Sequence, residues 1–521
     1  MRTSSYALLL MIGALGATAG AAFAAQPPNT VTSDPYFNTA MGTNALLNLP
    51  TPSGLFGIDN TAAGYSALQS NTSGSYNTAF GTSALTHNTM NNYNSAFGAN
   101  ALVNNTVGES NSAFGASAMF SNTSGASNTA AGINALYSNV SGDENTALGS
   151  DALESNTTGM NNTACGAESL LDNTTGDENT AAGTGALEDN TTGINNTAAG
   201  AYALFSNWAG SSNSAAGDAA LHFNTSGSRN NASGANAMYN NTTADDNNAM
   251  GYVAMFSNTT GTLNNAVGNF ALYYNTTGNN NNAVGYAALY HNTTGSNNSA
   301  QGFYALQNNT VGSNNIAIGQ FAGDNITSGG SNIDIGSRGV TGDVGAIRIG
   351  DSSAQSSAYI AGVSSAKVTG SAVYVTSTGQ LGVMASSERY KTAIKPMGSA
   401  SEKLQQLRPV TFRLKSDPRG VTQFGLIAEE VAKVYPELVI RDGAGTIEGV
   451  RYEELAPMLL NVVQQQQQKL ADQARRLLHL QNEQHKMTIE KLQLHDMKEQ
   501  LAQVQVALAL LQTKDTRVAQ R

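Results

Sequence analysis

Little in this chain belongs to an ordinary globular core. One cysteine, Cys165, stands in 521 residues, so an intrachain disulfide is excluded and stability has to come from elsewhere. Cys165 falls where neighbouring repeats carry Ala, Phe, Val or Leu, and is expected to be a buried apolar side chain. Charged residues are only 12% of the total, against roughly a quarter in typical domains. Their balance is acidic, a net −11, which disfavours nucleic acid and anionic membrane as partners. Beyond residue 24 no run is apolar enough to span a bilayer. No carboxylate pair recurs in the manner of a glycosidase; Glu144, Asp151 and Glu154, like Asp172, Asp177 and Glu178, read as solvated loop acids. No cofactor or metal site is expected.

Gly, Asn, Thr, Ser and Ala are abundant instead, and they are periodic. Gly64, Gly81, Gly98 and Gly115 begin a ladder spaced by 17 residues that runs unbroken to Gly336. An earlier copy, Asn38 to Gly42, is offset by an insertion containing Pro50 and Pro52. The unit N-T-A-x-G-x-x-A-L-x-x-N-T-T-G-x-x predicts a mainly β repeat solenoid. Asn60 to Gly64 is read as a brief extended segment with Ala62 pointing inward. Ala67-Leu68 is read as a single helical turn, and Asn71 to Gly74 as a turn in which Asn bonds to backbone. Stacking would make a column of Leu68, Leu85, Leu102, Met119 and Leu136, about 80 Å long at roughly 4.8 Å per coil. The strict phase argues for Asn as a structural ladder over Asn as a glycan acceptor, and for order over disorder. Trp208 replaces a usual Thr and is expected at the surface. The repeats are similar in style to the head repeats of trimeric autotransporter adhesins, although the period here is longer.

The first residues have the pattern of a secretory signal: Arg2, an apolar run from Tyr6 to Ala17, and Ala22-Phe23-Ala24 as cleavage site. The protein is therefore expected to be secreted or at the cell surface. After the repeats, Ala346 to Gly350, Ala358 to Gly362, Ala372 to Val375 and Gly379 to Val383 read as short strands between Gly/Ser turns.

Ser386 and Lys391 then offer a serine–lysine pair. A serine hydroxyl needs a base to become a nucleophile. A lysine can be that base only where burial or neighbouring cations lower its pKa, and Arg389 is a candidate neighbour. Downstream come Leu404, Leu407 and the strand Pro409 to Lys415. A strand running into a helix follows over Gln423 to Val431, then short apolar pieces at Leu438 to Ile440 and Val450 to Tyr452. The motifs S-x-x-R-x-K, L-R-P-V-x-F and F-G-L-I-A-E-E-V, in this order from Ser386 to Val463, resemble the endosialidase-type intramolecular chaperone domain, a self-cleaving serine peptidase family of phage tail spikes and related fibres. The resemblance implies Ser386 as nucleophile, Lys391 as base and Ala385–Ser386 as the scissile bond. The family often has Asp after the Ser; here Ser387 stands there, and leaves two candidate hydroxyls.

From Leu455 the chain reads as helix. Leu494, Met497, Leu501, Val504, Leu508 and Leu511 alternate steps of three and four, a coiled-coil seam. The expected organisation is a signal peptide over 1–24, an N-terminal segment with one offset repeat over 25–59, and the solenoid over 60–339. A β connector over 340–385, a small α+β chaperone and peptidase domain over 386–463, and a coiled-coil helix over 464–521 follow. The leading functional expectation is an exported homotrimeric fibre that cuts itself once. The alternative is a surface adhesin or glycan-binding fibre whose chaperone domain does not cleave. Tyr65, Tyr76, Tyr93, Tyr137, Tyr273 and Tyr274 are candidate ligand contacts for it, without an evident pattern.

Overall fold

The computed structural model describes residues 32–50, 56–361, 372–376, 378–442 and 444–518. The signal sequence expected over 1–24 lies outside the described residues, as do Pro52 and Gly362. The described chain forms two compact units, divided between Tyr359 and Ile360.

The first unit is the solenoid. Its strands are three residues long because only three positions in each 17-residue unit favour extended backbone: Thr61–Ala63, Thr78–Phe80, Ser95–Phe97 and so on. They stack in parallel, rung on rung, into a sheet of 20 strands. Register is set by like against like, with Thr180 beside Thr197 and Ala181 beside Ala198. An antiparallel pair, Thr32–Ser33 on Thr39–Met41, begins the sheet. Alternation sends the middle residue inward, and there Ala62, Ala79 and Ala96 are fully buried. A second inward row comes from Ala67-Leu68 and its counterparts, so Ala and Leu or Met columns make the whole core.

Ala67-Leu68 is not the helical turn expected from the sequence. Ser66 and Leu68 have φ of 57° and 50°, and the pattern recurs in later rungs, as at Ser83 and Leu85. These left-handed residues send the chain around the corner in consecutive turns, and Leu68 N–H donates to the Ala84 carbonyl of the next rung, 3.0 Å away, instead of to its own turn. Gly64, with φ 140°, sits where the strands end; a Cβ there would collide with the Gly81 carbonyl oxygen one rung above.

Two buried asparagine columns close the remaining sides. The Asn77 N–H donates to Asn60 Oδ1 at 3.0 Å, and Asn60 Nδ2 donates to the Gly74 carbonyl at 2.8 Å. In the second column Asn156 Nδ2 donates to Asn139 Oδ1 at 2.8 Å and to the Gly159 carbonyl at 3.0 Å. A buried amide left unpaired costs about 1–3 kcal/mol; here nearly every one is used, and the interior is half polar at no such cost. Asn71, Asn122 and Asn156 begin N-x-S/T sequons, yet all are fully buried, which agrees with the ladder reading.

The outward residue that follows the buried Ala is exposed in most rungs and half-buried in the others. Cys165 occupies it, so the cysteine is a surface residue and not the core side chain expected above. Strand alternation decides this: the Ala, Phe, Val and Leu at the same position in other rungs face out as well. Trp208 is 65% exposed, as expected. Aromatics do have a pattern: Phe205, His222, Tyr239, Phe256, Tyr273 and Tyr290 stack face to face up one side, 5.0–5.3 Å apart.

The last rung, Ile347–Ile349, pairs in parallel with Ile333–Ile335, within the stretch read as connector. Charges finish the core there. Asp334 takes the inward place of the alanines and is 1% exposed. Arg348 lies beside it in register and donates to Asp343 at 2.5 and 2.8 Å, while Arg338 pairs with Asp324. Burial, then the charge of Asp343, raises the Asp334 carboxyl to about 6. Beyond this, residues 358–361 form no strand, whereas Tyr374–Val375 and Leu381–Gly382 are strands, as expected, and pair antiparallel with each other.

The second unit has a small core: Val431, Tyr435, Leu438, Val439, Val450 and Met458. A 3-10 helix over Gly398–Gln406 precedes an antiparallel pair, Val410–Phe412 with Gln423–Gly425. Helix α1, Ala428–Val434, stops before Pro436, and a second pair joins Val439–Arg441 to Ile447–Val450. Helix α2, Tyr452–Val518, is 67 residues long, about 100 Å at 1.5 Å per residue. Its start is tied down by Tyr452, whose hydroxyl accepts from Leu426 N–H at 2.7 Å, and by Asn461, which donates to the Gly398 carbonyl at 2.8 Å. Among the described residues no helix is long and apolar enough to cross a membrane.

Candidate active site

Ser386 and Lys391 come together because of one short turn. Glu388–Tyr390 forms a single 3-10 turn, closed by the Tyr390 N–H to the Ser387 carbonyl at 3.0 Å and the Lys391 N–H to the Glu388 carbonyl at 2.9 Å. Five residues of sequence thus fold back on themselves. Lys391 Nζ donates to Ser386 Oγ at 3.4 Å, a long contact. Ser387 uses its carbonyl to hold the turn. Arg389 lays its guanidinium over the ring of Tyr390, 4.7 Å from the centroid. Ala385, Ser386, Ser387 and Lys391 are all exposed in the single chain.

Chemically this is a nucleophile beside an amine, without the burial an amine needs to act as a base near neutral pH. The surroundings of the unit are similarly open. Phe424 of the F-G-L-I-A-E-E-V run is 83% exposed and Val421 80%. Arg408 holds Glu430 of α1 through two contacts of 3.1 and 2.5 Å, which joins the L-R-P-V-x-F strand to the helix. On α2, Leu494, Met497, Leu501, Val504, Leu508 and Leu511 are 52–63% exposed. Among the described residues no group of His, Cys, Asp or Glu is arranged to hold a metal.

The sequence points to the serine and the lysine; Asp151, Glu154 and Asp172, which it reads as solvated loop acids, are gathered by the solenoid with others. Asp151, Glu154, Glu168, Asp172, Glu188 and Asp189 fall on one side of successive rungs. Burial, and then Glu168, Asp189 and Asp172, push the Glu188 carboxyl up to about 7. The signal was present in the sequence as acids at related phases of the 17-residue period.

Residues 386–440 match the peptidase S74 family, the chaperone of endosialidase, and the match begins at Ser386 itself. The molecule is thus of the fibre-like class, a long β-solenoid followed by a chaperone domain. That domain is of the endosialidase-chaperone type. No curated protein matches the chain.

Proposed function

We propose that this protein is an exported fibre subunit that assembles as a homotrimer under the direction of its C-terminal domain, which then releases itself by cutting between Ala385 and Ser386. The observation that carries the reading is the exposure of apolar side chains in the second unit. A core of six buried residues cannot hold a domain that leaves Phe424, Val421 and the whole α2 seam in water. Neighbouring copies of the same surfaces would cover them, with α2 as the coiled coil. Assembly would also supply the burial that Lys391 lacks in the single chain, so cleavage is coupled to correct trimer formation. Ser386 attacks the Ala385 carbonyl carbon, Lys391 takes the hydroxyl proton and passes it to the leaving amine, and water hydrolyses the acyl-enzyme ester. Removal of the guide afterwards leaves a fibre that cannot refold by the same route, a kinetic form of stability.

The test is a denaturing gel and a mass spectrum of wild type beside Ser386→Ala. Wild type is expected to give two fragments, one ending at Ala385 and one beginning at Ser386, and the variant one full-length chain that is still trimeric by native mass spectrometry. Identical full-length masses for both would reject cleavage; a monomeric variant would reject assembly. A second reading, a glycan-binding fibre with a retained chaperone domain, is favoured by one observation, the indole of Trp208 standing 65% exposed. Full-length mass together with glycan-array binding lost in Trp208→Ala would select it.

A further inference from the structure

The outer face of the solenoid sheet is built differently from the rest of the surface. Each strand presents its first and third residues outward. From Thr39–Met41 to Ile347–Ile349 neither column holds a single charged residue. The first column is Thr, Ser or Asn until it turns to Ile316, Ile333 and Ile347. The third is a nearly continuous apolar stripe. Met41 and Ala63 begin it, and Phe80, Phe97 and Phe114 follow, stacked 5.1–5.2 Å apart and 37–44% exposed. Ala182, Ala199 and Ala216 continue it. Val284, Ile318 and Ile335, 37–41% exposed, and then Ile349 end it, with Ser233 and Gln301 as its polar interruptions. The surface charges of the solenoid, such as Glu154, Glu188 and Asp246, lie in its turns, and the two charges within its strands, Asp334 and Arg348, take the inward middle position.

We infer that this stripe is a contact face on which copies of the chain pack, parallel and in register. Size argues for it. At about 4.8 Å per rung and about 10 Å of width, the face covers roughly 800–900 Å². A stable interface takes about 800 Å² from each partner. Composition argues for self-association: a face without charge has nothing to select a charged partner, whereas the same face on a second copy meets it at every rung. The alanine rungs permit close approach of the two backbones in the middle of the stripe. The parallel, in-register arrangement rests on the trimer reading above, in which α2 aligns the chains.

The chain supplies its own probe. Cys165 is the single cysteine, lies exposed in the stripe, and in an in-register parallel assembly stands at the same height as Cys165 of the neighbouring copy. The full chain is treated with a short bismaleimide and run on a denaturing gel, with native mass spectrometry of the untreated sample in parallel. The control is the double variant Cys165→Ala, Thr158→Cys, which moves the thiol to an exposed turn position outside the sheet face. Conversion of most of the wild type to a band of twice the mass of the Cys165-bearing polypeptide, whether full chain or cut fragment, with little in the control, is the expected result. A trimer whose Cys165 takes up monofunctional maleimide but does not cross-link overturns the stripe as contact face and leaves the trimer reading standing. A monomer by native mass spectrometry overturns both.

Discussion

Leu68, Ser66 and Tyr76 each hold a positive φ without being glycine, and their equivalents do so in rung after rung. At Leu68 the side chain is the core, so the backbone strain is offset by burial. At the corner occupied by Ser127, φ 58° and exposed, nothing offsets it. Left-handed backbone costs an L-residue about 1–2 kcal/mol, and glycine returns about 0.5–1 of that as lost entropy. Ser127→Gly is therefore expected to stabilise the solenoid by up to about 1 kcal/mol, and Ser127→Val to destabilise it by a similar amount, read as shifts of the urea midpoint. A glycine variant less stable than wild type would contradict this account of the corner. Gly185, with φ 61°, already stands where other rungs keep Ser66 or Asn100 in the same conformation.

At the scale of the element, the rungs around Glu188 carry an electrostatic penalty that the neighbouring rungs do not. Raised to about 7 by burial and by Glu168, Asp189 and Asp172, the Glu188 carboxyl holds its proton more tightly folded than unfolded. Its contribution to stability is complete below about pH 4.5 and is lost as pH rises through about 7. Glu188→Gln is expected to melt with wild type at pH 4 and above it at pH 8. Thermal scans at the two pH values check this, and a pH-independent difference would show that packing, not charge, separates the two proteins. Element identity was largely legible beforehand, since three-residue strands, inward Ala and a long apolar seam on α2 all follow from period alone. Direction of outward side chains was legible in principle too; Cys165 was misassigned because an apolar column was equated with a core. The corner at Ala67-Leu68 was not legible, because a Leu in left-handed backbone is held there by rung-to-rung hydrogen bonds that no local propensity reports.

At the scale of the molecule, the site was legible only through order. Ser386 and Lys391 are unremarkable in a serine-rich chain, and the motifs after them supplied their meaning. Geometry adds that one 3-10 turn brings the two within 3.4 Å and that Ser386, not Ser387, receives the lysine. What the single chain does not contain is a buried base: Ser386 and Lys391 both stand exposed. Acid clustering and the uncharged sheet face are carried by the phases of the 17-residue period, and become legible once the winding shows which phases share a side.

Consider finally the register in which every rung meets the next, Thr on Thr and Ala on Ala. Any rung can then stand on any other. Removal of residues 179–195 would bring Thr197 beside Thr163 with the same hydrogen bonds, whereas removal of 180–195 would shift every later side chain to the wrong face. The first deletion is expected to fold, with a scattering envelope shorter by about 4.8 Å, and the second to yield insoluble or protease-sensitive protein; equal behaviour of both would deny the rungs their interchangeability. The solenoid is in this sense a graduated rod. Its reach can be lengthened or shortened one mark at a time by unequal recombination between repeats, while the chemistry at its ends stays untouched.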